Sequence, residues 1–195
     1  MNNLILVRHG QSLWNKERRF TGWADIGLTE QGKSEAEHAG QLIKELHIKF
    51  DTYFTSVQKR AIHTTEIILD ILNKKNSEIK KAWELNERHY GALTGLNKDE
   101  MMKKHGKKQV HIWRRSFDVP PPPMEKTNPN HPSKNKAYIN IPASKIPSCE
   151  SLKNTFERVM PYYEKNIKPI LASNKNILIS AHGNSLRALC KKLLN

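Results

Sequence analysis

Short apolar runs and longer amphipathic stretches alternate along this chain. The run 4–7, Leu-Ile-Leu-Val, is continuous and precedes a polar turn, which is typical of a strand buried on both faces of a parallel sheet. Residues 53–55 and 176–180 have the same character and predict two further strands. Apolar positions recur at helical spacing between these strands. They predict helices from an N-cap at Thr29 to about Leu46, and over 58–72, 98–105, 107–115, 150–167 and 184–194.

The alternation of strands with helices sets the expected fold class. It predicts an α/β fold of three layers, in which a mostly parallel central sheet carries helices on both faces. No internal repeat is evident, and 195 residues fit one domain of ordinary size. We therefore expect a single domain over residues 1–195.

Residues 118–147 interrupt the pattern. The range holds prolines at 120–123, 129, 132, 142 and 147, and proline breaks helices and cannot donate a ladder hydrogen bond. We interpret it as a long surface insertion that is partly polyproline-like. Loops of this length are usually functional or disordered, so the sequence leaves open a substrate lid and a variable surface insertion.

Composition narrows the class of protein. The mean hydropathy is −0.71, and no apolar run reaches the roughly 18–20 residues of a membrane helix. The two cysteines, Cys149 and Cys190, form no disulfide or metal-binding pattern, so we expect a cytoplasmic protein without membrane association. The net charge of +14 favours an anionic partner: nucleic acid, an anionic membrane or a phosphorylated small molecule. A solvated, lysine-rich surface accounts for most of this charge.

The candidate chemistry lies where two predicted strands end. Arg8-His9-Gly10 follows the first strand and His182-Gly183 follows the last, and ligands of open α/β sheets collect at the carboxyl ends of strands. The chain has no HExxH motif, cysteine pair or Walker loop, so we expect phosphoryl transfer without a metal. Neutral imidazole is a good nucleophile near pH 7, which makes His9 the candidate phosphoryl carrier.

Charged side chains complete this hypothesis. Arg8 and Arg60 are candidates for binding the phosphoryl oxygens, because guanidinium binds phosphate in bidentate fashion. Glu87, in the polar turn 86–90, is the best-placed carboxylate for the proton transfer that exchange with a substrate hydroxyl requires.

These residues also carry a family resemblance. Residues 6–15, Leu-Val-Arg-His-Gly-Gln-Ser-Leu-Trp-Asn, resemble the signature of the histidine phosphatase superfamily. Further stretches make the chain similar to the cofactor-dependent phosphoglycerate mutases, and they lie at 20–23, 55–64, 85–93, 95–98, 113–115 and 181–188. The resemblance implies an isomerase of glycolysis and gluconeogenesis that interconverts 2-phosphoglycerate and 3-phosphoglycerate. It also implies priming by 2,3-bisphosphoglycerate, no metal, and a homodimer or homotetramer that binds neither nucleic acid nor membrane.

The resemblance implies a role for each matching position. The catalytic residues would be the phosphohistidine His9, the proton donor and acceptor Glu87, and His182, Arg8 and Arg60 around the transferring phosphoryl group. The substrate-binding residues would be Arg8, His9, Gly10, Gln11, Ser12, Asn15, Thr21, Gly22, Arg60, Glu87, Arg88, His89, Tyr90, Lys98, Arg114, Arg115, Gly183 and Asn184.

The chain departs from the family pattern at three places. Gln11 and Cys149 stand where the family usually has Glu and Thr, and the sequence ends at Asn195, before the further strand, helix and tail of typical members. We therefore expect the C-terminal end of the family domain to be missing from this sequence, and a truncated gene product and an omitted native tail are both open explanations. A protein that truly ended at Asn195 would be less stable and would leak towards phosphatase activity. Two alternatives stay open: a histidine phosphatase or bisphosphoglycerate synthase/phosphatase on the same scaffold, and, more remotely, a basic nucleic-acid-binding protein.

Overall fold

The computed structural model describes residues 2–194. Four strands form its sheet: β1 (Leu4–Arg8), β2 (Thr52–Thr55), β3 (Ile79–Lys81) and β4 (Ile177–Ala181). The helices, in chain order, are α1 (Leu13–Lys16), α2 (Glu30–Glu45), α3 (Lys59–Ile71), α4 (Lys98–His105), α5 (Lys107–Arg115), α6 (Leu152–Tyr162), α7 (Lys168–Ala172) and α8 (Gly183–Leu193).

The sheet is parallel throughout its described part, with strand order β1-β4-β2-β3. Successive side chains of a strand point to opposite faces, and the two faces have separate hydrophobic clusters. Leu178 belongs to the cluster that contains Ile43 of α2 and Ile68 of α3. Its neighbour Ile179 belongs to the cluster that contains Val159 of α6 and Leu189 of α8. The predicted three-layer α/β fold with helices on both faces is confirmed.

Local signals in the sequence begin several of these helices. Thr29 adopts an extended conformation before α2, and its hydroxyl accepts a hydrogen bond from the Gly32 backbone N–H at 3.0 Å. Ser151 and Asn154 form a reciprocal capping box at the start of α6. Asn97 caps α4, accepting from the next backbone N–H groups. Of these helices, α2 and α6 pack against the sheet, whereas α4 packs in a separate cluster with Phe20 and Leu93.

Three elements differ from the sequence expectation. The strand β3 was not predicted, because Ile79 is its lone apolar residue and two lysines follow it; backbone pairing with β2 creates it. The helix predicted to stop at 167 continues through a π-helical turn, Tyr163–Ile167, into α7. Leu46, expected on the inner face of α2, caps the helix and is exposed.

The proline-rich range 118–147 is not confined to the surface. It contains three short 3-10 helices, at Pro132–Lys134, Lys136–Tyr138 and Ala143–Lys145. Tyr138 is buried against Trp23, with ring centroids 5.0 Å apart, and its hydroxyl donates to the Trp23 carbonyl at 2.7 Å. A small hydrophobic cluster therefore anchors this segment beside the loop that follows α1.

Candidate active site

A cavity of about 330 Å³ opens at the carboxyl ends of the strands. β1 leads directly into His9, and β4 leads into His182 and then α8. The cavity wall contains most of the predicted site residues, namely Arg8, His9, Asn15, Thr21, Gly22, Arg60, Glu87, Tyr90, Lys98, Arg114, Arg115, Gly183 and Asn184. The fold thus brings together residues that lie up to 176 positions apart in the sequence, from Arg8 to Asn184.

The His9 ring is held in one tautomer. Its Nδ1 lies 2.7 Å from the Gly10 carbonyl oxygen, which can only accept, so Nδ1 carries the proton. The other nitrogen, Nε2, is left with its lone pair and accepts from Arg60 Nε at 3.3 Å. His9 therefore presents an unprotonated nitrogen beside a guanidinium, as a nucleophile toward phosphorus requires.

The surroundings of His9 also keep it neutral. Burial lowers its pKa well below the usual value, and the nearby Arg60 cation lowers it further. The pKa of His182 is lowered in the same way, by burial first and then by Arg60 and His9. Both imidazoles are consequently neutral at pH 7, and the lone pair of His9 is available for bonding.

His182 lies behind the nucleophile rather than on the cavity wall. It is fully buried, and its ring centroid is 4.9 Å from that of His9, with the rings inclined by 61°. Its Nε2 lies 2.7 Å from the hydroxyl of Ser56, which follows β2. The residues that follow three neighbouring strands, β1, β4 and β2, are thus in contact: His9 with His182, and His182 with Ser56.

Arg60 reaches this end from the first turn of α3. It is 1% exposed, and its guanidinium donates to the carbonyl oxygens of Ala24 and Gly22, each at 2.9 Å. These bonds fix the planar group against the loop after α1. Gly22 has a φ of +53°, a conformation that a residue without a Cβ adopts at little cost.

Glu87 is held by three N–H groups. Its Oε1 accepts from the Arg88 backbone N–H at 2.8 Å, from the Asn184 backbone N–H at 3.2 Å and from the Asn184 Nδ2 at 2.8 Å. The Asn184 amide also reaches the Tyr90 hydroxyl at 3.4 Å. Asn184, predicted to bind substrate, therefore also positions the carboxylate.

The outer part of the cavity is strongly cationic. Lys98 comes from α4, and Arg114 and Arg115 from the last turn of α5. Burial, followed by the positive charge of Arg114, lowers the pKa of Lys98 to about 8. Such a lysine sits among like charges, so an anion that entered the cavity would stabilise its protonated form.

Six predicted residues do not line the cavity: Gly10, Gln11, Ser12, Arg88, His89 and His182. Gln11 bonds to Thr29, its Oε1 accepting from the hydroxyl at 3.0 Å, and the Ser12 hydroxyl caps α1. Gly10 packs so closely on Gly32 that a Cβ would lie 2.0 Å from the Gly32 carbonyl oxygen. These three residues support the loop after β1.

Arg88 and His89 are completely buried beneath the cavity wall. Arg88 donates to the Arg114 carbonyl at 2.9 Å, at the C-terminal end of α5, where a cation is favourable. His89 accepts at Nδ1 from the Gly91 N–H at 3.0 Å, and burial lowers its pKa to about 3. In this structure both side chains contact the surrounding backbone, and their contact with substrate stays a prediction.

Sequence reasoning missed several residues of the site. Arg187 and Arg19 line the cavity, and Arg187 could have been found because it stands one helical turn after Gly183. The buried pair Arg158 and Glu150 had no such signal, because its role depends on loops distant in sequence. Within residues 2–194 there is no group of three or more His, Cys, Asp or Glu side chains arranged for a metal ion. No helix there is long and apolar enough to cross a bilayer.

The sheet, the paired histidines and their guanidinium neighbours define a class of phosphoryl-transfer enzyme. In agreement, a family model described as the histidine phosphatase superfamily (branch 1) matches residues 4–131. A 2,3-bisphosphoglycerate-dependent phosphoglycerate mutase from Pelagibacter ubique is 56% identical over 193 residues, which are 99% of this chain and 81% of that protein. Mutases with the same name from Xylella fastidiosa and a Hydrogenobaculum species are 55% and 53% identical; the matches cover 97% and 98% of this chain, and 76% and 77% of theirs.

Solved structures agree on the fold. The phosphoglycerate mutase of Bacillus anthracis superposes with a TM-score of 0.72 at 22% identity, covering 98% of this chain and 79% of that one. A mycobacterial glucosyl-3-phosphoglycerate phosphatase also gives a TM-score of 0.72, at 21% identity, covering 100% and 82%. The chain therefore belongs to the histidine phosphatase superfamily and, within it, to the 2,3-bisphosphoglycerate-dependent phosphoglycerate mutase family.

Proposed function

We propose that this chain interconverts 2-phosphoglycerate and 3-phosphoglycerate through a phosphohistidine at His9, with 2,3-bisphosphoglycerate as primer. The observation that carries the proposal is the neutral His9, whose unprotonated Nε2 lies 3.3 Å from Arg60 in a cavity also lined by Glu87. Family membership supports the same activity.

The proposed chemistry is an exchange of one bond for another. Phospho-His9 first gives its phosphoryl group to the free hydroxyl of a bound phosphoglycerate as the bond to Nε2 breaks, and Glu87 removes the proton of that hydroxyl, which leaves 2,3-bisphosphoglycerate in the cavity. Nε2 then attacks the other phosphorus as its bond to the glycerate oxygen breaks, and Glu87 returns the proton to the departing oxygen. Arg8 and Arg60 stabilise the charge on the equatorial oxygens, and His182 supports them from behind. The primer supplies the phosphoryl group that first loads His9.

The lining of the cavity fits a substrate with several negative charges. Seven of the described lining residues are cations: Arg8, Arg19, Arg60, Lys98, Arg114, Arg115 and Arg187. Glu87 is the carboxylate in the described lining. Arg8 and Arg60 serve the transferring phosphoryl group, which leaves five cations for the carboxylate and a second phosphate, namely Arg19, Lys98, Arg114, Arg115 and Arg187. The same set fits 2,3-bisphosphoglycerate, whose two phosphates need cations at both ends of the cavity.

Labelling with radioactive 2,3-bisphosphoglycerate tests the proposal. We expect one acid-labile phosphate per chain, lost in His9→Gln and retained in His63→Gln, since His63 is an exposed histidine on α3. A folded wild-type protein that takes up no label would refute the phosphohistidine mechanism. Label that is always released to water, with no transfer to a phosphoglycerate, would instead favour the hypothesis of a histidine phosphatase or a bisphosphoglycerate synthase/phosphatase.

The remaining expectations are part of this proposal. A cytoplasmic homodimer or homotetramer that binds neither nucleic acid nor membrane accords with the mutase family and stays a prediction. Sedimentation measures the oligomeric state, and a gel shift at physiological salt measures nucleic-acid binding, which falls steeply with salt where phosphate contacts dominate. A shift that persisted there would revive the nucleic-acid alternative raised by the charge of +14.

A further inference from the structure

Gln58 lies at the centre of the site without lining the cavity. It is the residue before α3, two positions after Ser56 and two before Arg60. Its side chain is fully buried, although an amide in such a place costs about 1–3 kcal/mol for each polar group left without a partner. A buried amide is therefore retained only where its hydrogen bonds are made.

The Gln58 amide connects three parts of the site. Its Oε1 accepts from the Glu87 backbone N–H at 2.9 Å and from Arg60 Nη2 at 3.3 Å. Its Nε2 donates to the Gly22 carbonyl at 2.9 Å. Glu87 and Gly22 are 29 and 36 positions away in sequence, so these bonds join loops that the helix and strand ladders do not connect.

The amide does not serve its own helix. Gln58 occupies the N-cap position of α3 with an extended backbone, yet its side chain makes no capping hydrogen bond. Its backbone N–H is instead accepted by the Ser56 hydroxyl at 3.2 Å, the same hydroxyl that contacts His182. The side chain of this residue thus contacts the site, while its backbone carbonyl accepts from the Ala61 and Ile62 N–H groups and begins the helix.

The two loops need such a connection, because the reacting groups come from both. Arg60 and Gly22 belong to the phosphoryl-binding end, whereas Glu87 provides the carboxylate for proton transfer. The carboxylate of Glu87 is held by Asn184 and by the Arg88 N–H, and its backbone carbonyl accepts from Arg158. Its backbone N–H donates to the Gln58 amide oxygen, which also accepts from Arg60 and so joins the two. A shift of 1 Å in a reacting group can reduce a rate by about 100-fold.

We propose that Gln58 is a positioning residue that fixes the backbone of Glu87 against Arg60 and Gly22, and so keeps the acid/base in register with the phosphoryl pocket. The inference rests on the proposed function. Gln58 touches no reacting atom. Removing its amide therefore slows proton transfer and leaves the binding of phosphate-like anions unchanged, because Arg60 keeps its bonds to the carbonyls of Gly22 and Ala24.

The test compares Gln58→Met with Thr65→Val, a matched control. Thr65 is buried on α3, its hydroxyl bonds to the Ala61 carbonyl at 2.8 Å, and it lies outside the cavity lining. For Gln58→Met we expect kcat to fall by roughly 10–100-fold, with KM for 3-phosphoglycerate and inhibition by orthovanadate within about twofold of wild type. Thr65→Val should lower the thermal midpoint and change neither kcat nor vanadate inhibition. If Gln58→Met fails to fold, Gln58→Asn serves, because its amide is one methylene too short to reach both loops.

Each other result contradicts the proposal. An unchanged kcat in a folded Gln58 variant would show that the amide positions nothing, and an equal loss of kcat and vanadate affinity would place its effect on Arg60 instead. Wild-type protein is labelled at His9 in parallel. If wild type takes up no label, the proposed function fails and this inference fails with it. If wild type is labelled at His9, the Gln58 result tests this inference alone.

Discussion

A buried ion pair between Arg158 and Glu150 supports the loop that carries Glu87. A single substitution at Arg158 tests how much this pair contributes to stability. Arg158 Nε lies 2.7 Å from Glu150 Oε1, and the side chains are 7% and 4% exposed. Glu150 also accepts from the His89 backbone N–H at 2.8 Å. The Arg158 guanidinium further donates to backbone carbonyl oxygens of the loop, those of Trp83, Glu84, Asn86 and Glu87.

Arg158→Met removes the guanidinium and keeps most of the aliphatic volume. The substitution leaves the Glu150 carboxylate buried without its counter-ion and deprives the carbonyl oxygens of their donor. Removing one partner of a buried ion pair lowers the free energy of unfolding by about 3–5 kcal/mol. We expect a loss in that range, because both side chains of this pair are buried. For a chain of this length, such a loss corresponds to a thermal midpoint roughly 6–20 °C lower. We also expect kcat to fall, because the loop carries Glu87.

Urea unfolding at pH 7, in a cycle with Glu150→Gln, measures the pair. The double variant should be less destabilised than the sum of the single variants, since each single variant leaves one buried charge unpaired and the double variant leaves none. Lys168→Met, which removes the exposed pair with Glu164, is the control and should leave the midpoint unchanged. A loss below about 1 kcal/mol in Arg158→Met, or strictly additive effects, would refute the reasoning.

Three further predictions follow from local geometry. Gly10→Ala places a Cβ 2.0 Å from the Gly32 carbonyl oxygen and should cost about 1–3 kcal/mol or more in urea unfolding, whereas Gly27→Ala, with nothing within 4 Å, should not. Lys98 has a pKa of about 8, so it loses its positive charge as the pH rises through that value. The KM for 3-phosphoglycerate should therefore rise between pH 7 and 9 in wild type and stay constant in Lys98→Arg; a constant KM in wild type would contradict this. Tyr138→Phe removes the buried 2.7 Å bond to a backbone carbonyl and should cost about 0.5–1.5 kcal/mol in thermal unfolding while increasing proteolysis within 118–147; equal cleavage of both proteins would count against the anchor.

The sequence predicted best what depends on neighbouring residues. The run at 4–7 and the Arg8-His9-Gly10 turn are local signals, and the structure has a parallel strand there that delivers His9 to the cavity. The prediction that this strand is buried on both faces is wrong, because β1 is an edge strand and residues 4–7 are only half-buried. The helices at 98–105 and 107–115 have the predicted bounds, because Asn97 caps the first and Gly106, with a φ of +83°, separates the two. Strand β3 carries no comparable signal, since pairing with β2 and not hydrophobic periodicity makes it a strand.

The residues that sequence could not identify act across long separations. Gln58 is one polar residue before a helix, and its significance comes from loops 29 and 36 positions away. The motif at 85–93 also predicted substrate binding for residues that lie in two different environments. Tyr90 reaches the cavity, whereas its neighbours Arg88 and His89 are buried below it, and a contiguous motif does not reveal which side chains turn inward.

The electrostatics of the cavity connect substrate binding with the state of the nucleophile. Burial and Arg60 lower the pKa of His9, so the ring is neutral and its Nε2 can attack. The same positive field would stabilise a phosphoryl group on that nitrogen, because the added group is an anion placed between Arg8 and Arg60. Cations that oppose protonation of His9 therefore favour its phosphorylation. A field of this sign favours the phosphoryl group over the proton as the electrophile that the lone pair bonds, and Arg60, whose Nε lies 3.3 Å from His9 Nε2, is one of its sources.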